Sequence, residues 1–177
     1  MTAPPRPAAA VTGEDESRLC LSCGMCCSGT LHAAIALDHD EPERAERAGF
    51  ALVPDPDDGS VGAAQPCPQL EGTACRLYGG WRPRACGAYA CKVLTGLRGG
   101  ELSTDEAVAL IAAIKARIAQ LLPDMGERPL RALVGEAAEL TRSKAITPEN
   151  AAWIMAVGAV NREIDQKIRR PGQSSFR

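Results

Sequence analysis

Eight cysteines in two groups constrain this chain more than any other feature. Cys20-Leu21-Ser22-Cys23-Gly24-Met25-Cys26-Cys27 places four thiols within eight residues, and Cys67, Cys75, Cys86 and Cys91 form the second group. Thiolates at two-residue spacing suit a soft metal, because a tight turn aims both sulfurs at one point. Gly24 allows a left-handed turn inside the run and a close backbone approach to the metal. All eight cysteines are therefore candidate metal ligands. The adjacent pair Cys26-Cys27 adds a geometric limit, since successive side chains diverge in most backbone conformations. Such a pair is awkward for one tetrahedral ion. It suits a polynuclear cluster, or two four-cysteine sites served by one loop, and spacing does not say which thiols would share a site.

Compartment bears on this reading. Met1 to Ser17 is Pro- and Ala-rich and then acidic, without the basic start and apolar run of a secretory signal. The longest apolar run, Ala151 to Val160, is too short to span a bilayer. A cytoplasmic location is the default expectation, and in a reducing compartment dense cysteines mean metal or redox chemistry more often than structural disulfides. Net charge is −2 and the pI near 5.8, which points to neither a nucleic-acid partner nor an anionic membrane surface.

Iron–sulfur and zinc both fit the ligand set. Cys20, Cys23 and Cys26 repeat the C-x2-C-x2-C start of bacterial ferredoxin runs, and Cys67 is a remote cysteine followed by proline. Between Cys67 and Lys92, Arg76, Arg82, Arg84 and Lys92 face the single acid Glu71, a balance compatible with an anionic cluster. Tyr78, Trp81 and Tyr89 fall in the same stretch and are candidates to shield sulfur from water, or to pack a zinc-stabilised loop. Spacing favours an iron–sulfur cluster, with zinc as the alternative. No cysteines give C-x3-C-x2-C, the radical-SAM spacing, and no βαβ setting surrounds a redox CxxC. His32 and His39, the only histidines, read as surface or packing residues. There is no Ser-His-Asp set, P-loop or dinucleotide fingerprint, so the sequence names no catalytic residue.

The expected fold is mainly α, with an irregular cysteine-rich metal-binding half (18–92) packed on a C-terminal antiparallel bundle of about three helices (101–170). Residues 1–17 and 171–177 read as tails. A short helix is expected over Glu41 to Ala48, capped by Asp38 or Asp40 and ended by Gly49. Asp38 to Asp58 holds eight acids and two arginines. It lacks the alternating ligands of a calcium loop and reads as a solvated face, with a turn-rich stretch at Pro54 to Gly59. Ser103-Thr104-Asp105-Glu106 is a capping box opening a helix whose stripe is Leu110, Ile111, Ile114, Ile118 and Leu121, stopped at Pro123. A second helix spans about Pro129 to Thr141, with Leu130, Leu133, Val134, Ala137 and Leu140 on one side. A third starts at Thr147-Pro148 and carries Ile154, Val157, Val160 or Asn161, Ile164 and Ile168. The stripes read as core.

Cys20 to Cys27 resembles the CxxCxxCC signature of the zinc- or iron-chelating domain family, also called YkgJ-like cysteine-cluster proteins. Cys67-Pro68-Gln69-Leu70, Cys75-Arg76-Leu77-Tyr78, Arg82-Pro83-Arg84-Ala85-Cys86 and Tyr89-Ala90-Cys91 extend the likeness over about residues 18–92. Gln69 stands where an aromatic is usual, and Gly87 where a basic residue often follows the cysteine. The resemblance implies a metal-chelating domain of bacterial cytoplasmic proteins. Flagellin lysine methylases carry a related cysteine motif tied to an iron–sulfur cluster, but no S-adenosylmethionine-binding segment is evident here and methyl transfer is not carried over. Three functions follow as expectations: an iron–sulfur protein for electron transfer or redox sensing with a protein partner, a structural zinc-binding interaction domain, or a cluster-dependent group-transfer enzyme.

Overall fold

The computed structural model describes residues 11–55, 58–123 and 128–170. The rest of the two expected tails, and residues 56 and 57 of the acidic turn, lie outside them.

Helix α1 (Gly13–Cys23) begins inside the stretch expected to be a tail. The reason is local. The Thr12 hydroxyl accepts from the Asp15 N–H, while the Asp15 carboxylate accepts from the Thr12 N–H at 3.0 Å. That reciprocal pair satisfies free N–H groups at the helix start, and it holds the Asp15 carboxyl down at about 2. The helix ends at Gly24 in the left-handed conformation (φ 70°), as the sequence predicts. Two of the cysteines expected on a turn, Cys20 and Cys23, instead occupy the last turns of this helix.

Strands β1 (Ala34–Ala36), β2 (Leu52–Pro54) and β3 (Val61–Ala64) form an antiparallel sheet in the order β1-β3-β2. Pro54 lies on an edge strand, where a missing N–H is tolerated. Between β1 and β2 runs α2 (Pro42–Arg47), close to expectation and ended by Gly49 at φ 82°. Its N-cap is Glu41, without a side-chain cap bond, so neither Asp38 nor Asp40 caps it. A small hairpin, β4 (Leu70–Glu71) with β5 (Ala74–Cys75), precedes two short helices, α3 (Arg84–Ala88) and α4 (Lys92–Arg98).

The three C-terminal helices follow the sequence closely. Helix α5 (Thr104–Leu121) starts at the Ser103–Glu106 capping box and buries Ala107, Ile111, Ile114 and Ile118. Helix α6 (Leu130–Arg142) buries Leu130, Leu133 and Ala137, and α7 (Pro148–Lys167) buries Val157, Val160 and Ile164. Helix α7 packs on both α5 and α6, but the main partner of α5 is α1, with α4 also against it. The helical layer is therefore wider than a three-helix bundle. It recruits α1 because Leu19, with Met25 just past the end of that helix, is buried in the same core as Ile111 and Ile114. No described helix is long and apolar enough to cross a membrane.

Two cores result. The larger joins α1, α4, α5, α6 and α7. The smaller lies between the three-stranded sheet and α2, around Ile35, Leu37, Ala45, Phe50, Ala63 and Cys67.

Candidate metal centre

The cysteines sit where the two cores meet, and hydrogen bonds between elements hold several of the segments that carry them. The Lys115 ammonium of α5 donates to the Cys23 carbonyl at 3.2 Å, at the free C-terminal end of α1. The Thr73 hydroxyl of the β4–β5 turn donates to the Leu21 carbonyl at 2.8 Å. The same turn explains Gly24 in part: a Cβ there would lie 3.0 Å from the Thr73 carbonyl oxygen. The close approach that requires glycine is thus to the hairpin backbone. Further on, the Cys67 N–H donates to the Cys27 carbonyl at 2.7 Å, stitching the first cysteine group to the second. The Lys92 N–H donates to the Ile168 carbonyl at 2.8 Å, fixing the residue after Cys91 to the end of α7.

Glu41 is a positioning residue that sequence reasoning missed. Its side chain is 3 % exposed, and it accepts from the Arg84 N–H at 2.8 Å and from the Asp38 N–H at 3.0 Å. The first of these bonds anchors the start of α3, two residues before Cys86. Outside it, the Arg84 guanidinium pairs with Asp38 and Asp40. Part of the acidic stretch expected to be a solvated face therefore holds the RPRAC segment. Nothing in the local pattern marks Glu41, because the partner is 43 residues away.

All eight cysteines line one cavity of about 130 Å³. None is in a disulfide. The walls are mostly apolar, with Leu19, Phe50 and Ile111 among them. Of the basic residues expected here only Arg82 reaches the cavity. Arg76 pairs with Glu71, and the Lys92 ammonium caps carbonyls of α7. Among the aromatics, Tyr78 and Tyr89 line it; Trp81 instead packs on the smaller core with Arg44 over its ring. His39 is exposed. His32 lines the cavity and stacks edge-on to Tyr89 at 4.6 Å, a packing role. Burial, with Arg169 and Arg131 nearby, drops its pKa to about 4.

Burial dominates the electrostatics of most of these thiols. Burial pushes Cys23 up to about 11 and Cys86 up to about 12, and it raises Cys20, Cys26 and Cys91 as well. Neighbouring thiolates add to the effect on each of the first four. A buried anion among other anions is costly, so these groups hold their protons until a positive centre replaces them. Cys67 differs. The Cys27 thiol donates to it, and so does the Gln69 N–H at 3.4 Å, which lowers Cys67 to about 7 while keeping the proton on Cys27. The Leu94 N–H likewise donates to the Cys91 sulfur at 3.4 Å, at the start of α4. Such bonds favour the thiolate, the form that binds metal.

The model of the CxxCxxCC family, described as a putative zinc- or iron-chelating domain, matches residues 19–108, just over half of the chain. The chain belongs to the CxxCxxCC family. No curated protein and no solved structure matches it. The family match spans all eight cysteines and extends beyond the resemblance seen in the sequence, through α4 to the start of α5. In this CxxCxxCC protein the donor chemistry fits the family description: eight unpaired thiols around one apolar cavity suit zinc or iron. As placed, no three Cys, His, Asp or Glu side chains among the described residues converge on one point as ligands of a single ion. The thiols line a common wall.

Proposed function

We propose that this CxxCxxCC protein carries an iron–sulfur cluster and passes electrons or senses redox state with a protein partner in the cytoplasm. The observation that carries this is that all eight cysteines line one mostly apolar cavity. The ferredoxin-like spacing of Cys20, Cys23 and Cys26 supports iron–sulfur chemistry. Burial away from water, and N–H groups on the sulfurs of Cys67 and Cys91, are the levers by which a protein tunes a cluster's potential. A reducing compartment accords with eight thiols free of disulfides. The experiment is anaerobic purification followed by reversible reduction with dithionite. Bleaching of a visible band, restored on reoxidation, is the expected result. A colourless protein holding zinc would overturn the redox reading.

A structural zinc domain is the second reading, favoured by the size of the smaller core. Six buried residues and three strands of three or four residues are little to hold that half together. A metal bridging Cys27, Cys67 and Cys86, which border that core, supplies cross-links that burial does not.

A further inference from the structure

A second cavity, of about 610 Å³, opens beside the cysteine cavity and is the larger of the two. Cys23, Gly24, Met25, Cys67 and Thr73 form the wall they share. The rest of its lining includes Ile118 and Ala119 of α5, and Arg128 and Pro129 just ahead of α6. Its volume falls within the range of small-molecule sites, about 300–1,000 Å³.

The charge of this cavity is one-sided. Lys115 and Arg128 line it, and among the described residues no Asp or Glu does. Arg128 pairs with Glu136 of α6, outside the lining. Lys115 is half-buried and enters no ion pair among the described residues. Its ammonium spends one of its three N–H donors on the Cys23 carbonyl, at 3.2 Å. The C-terminal end of α1 offsets at most about half an elementary charge there. The hydroxyls of the lining are already engaged. Thr73 donates to the Leu21 carbonyl at 2.8 Å, and Ser28 and Thr30 bond to each other at 2.8 Å. The side-chain N–H donors left in the lining therefore belong to the two cations. Met25 and Ile118, both buried, supply apolar surface beside them.

We infer that this cavity binds a small organic anion, a carboxylate or a phosphate ester. Its anionic oxygens meet Lys115 and Arg128, and its apolar body lies against Met25, Ile118 and Pro129. A neutral apolar occupant would strip water from the Lys115 ammonium without replacing it, a cost that an anion avoids. A bare inorganic anion would leave the apolar part of the volume unfilled. The site lies outside the metal-binding reading above and draws nothing from the chemistry of the thiols.

The probe is anilinonaphthalene sulfonate, an apolar body with one anionic group; phenylnaphthylamine is the same body without the charge. Both are titrated by fluorescence into full-length protein as isolated, with metal content and circular dichroism recorded on the same samples. Saturable binding of the sulfonate, about tenfold tighter than the amine, is expected, the worth of one charge-assisted hydrogen bond. Lys115→Gln should weaken the sulfonate about tenfold and leave the amine unchanged. Arg128→Gln, at an exposed residue, should act in the same direction and serves where Lys115→Gln loses its helical signal. Ala119→Trp, at an exposed position of α5, should block both probes. Benzoate and phenyl phosphate, added as competitors, separate the two headgroups, and whichever displaces the sulfonate at lower concentration names the class. Equal binding of the two probes, sulfonate binding unmoved by either folded cation variant, or displacement by neither competitor would overturn the assignment. Each of those results leaves the metal reading untouched, whose own failure would show separately as protein without metal in the same samples.

Discussion

Removing the Glu41 side chain should destabilise the cysteine-bearing half far more than its modest size suggests. The carboxylate is buried and accepts two backbone N–H groups, from Arg84 at 2.8 Å and Asp38 at 3.0 Å. Glu41→Ala leaves both donors without that acceptor, at about 1–3 kcal/mol each, so a total of about 2–6 kcal/mol is expected. Glu41→Gln keeps one acceptor oxygen and turns an amide N–H toward a donor, so about half that loss is expected. The guanidinium of Arg84 adds little, because it is half exposed and stands 4.0 Å from Glu41. Arg84→Ala is therefore the control: it keeps the backbone N–H and should cost no more than about 1 kcal/mol. The assay is guanidinium unfolding of metal-loaded protein, followed by fluorescence of Trp81, which packs on the smaller core, in a Trp153→Phe background. An Ala variant within about 0.5 kcal/mol of wild type would refute the argument that Glu41 anchors α3.

Other perturbations separate fold from site. Gly24→Ala should lose about 2–4 kcal/mol in a thermal or denaturant melt, since φ is 70° and the added Cβ meets the Thr73 backbone at 3.0 Å; an unchanged melt would remove the glycine argument. Ser103→Ala should cost about 1 kcal/mol through the lost cap and leave metal content unchanged, as measured by elemental analysis of the folded variant. His32 is neutral when folded because its pKa is lowered to about 4. Unfolded histidine binds a proton below about 6.5, so its contribution to stability is present above that pH and lost as pH falls toward 4. The loss approaches about 3 kcal/mol, to be read as the difference in pH-dependent unfolding between wild type and His32→Gln. Chelation should destabilise the cysteine-rich half more than the helices, whose core is formed by side chains alone. A larger fall in far-ultraviolet helicity than in Trp81 packing would argue otherwise.

Much of the helical part was legible because its signals are local. The Ser103–Glu106 box and the Thr147-Pro148 start are written within four residues, and stripes such as Leu130, Leu133 and Ala137 carry the helical period. Gly24 was legible for the same reason. The three-stranded sheet was not. Its strands have three or four residues, rich in Ala and Gly, and too short to show a two-residue alternation. The start of α1 was hidden by the Pro- and Ala-rich run before Thr12, although the capping pair itself was there to read. The cysteines were legible as a set, but their placement between the two cores was not. Which core each thiol meets depends on contacts such as Cys67 N–H to Cys27 carbonyl, 40 residues apart in the chain.

The central claim is that these thiols are metal ligands, and elemental analysis of anaerobically purified protein with a parallel count of reactive thiols tests it most directly. The account predicts bound metal together with cysteines that resist alkylation until it is withdrawn, and iron with acid-labile sulfide under the favoured reading. Protein without metal, with eight freely reactive thiols, would contradict it.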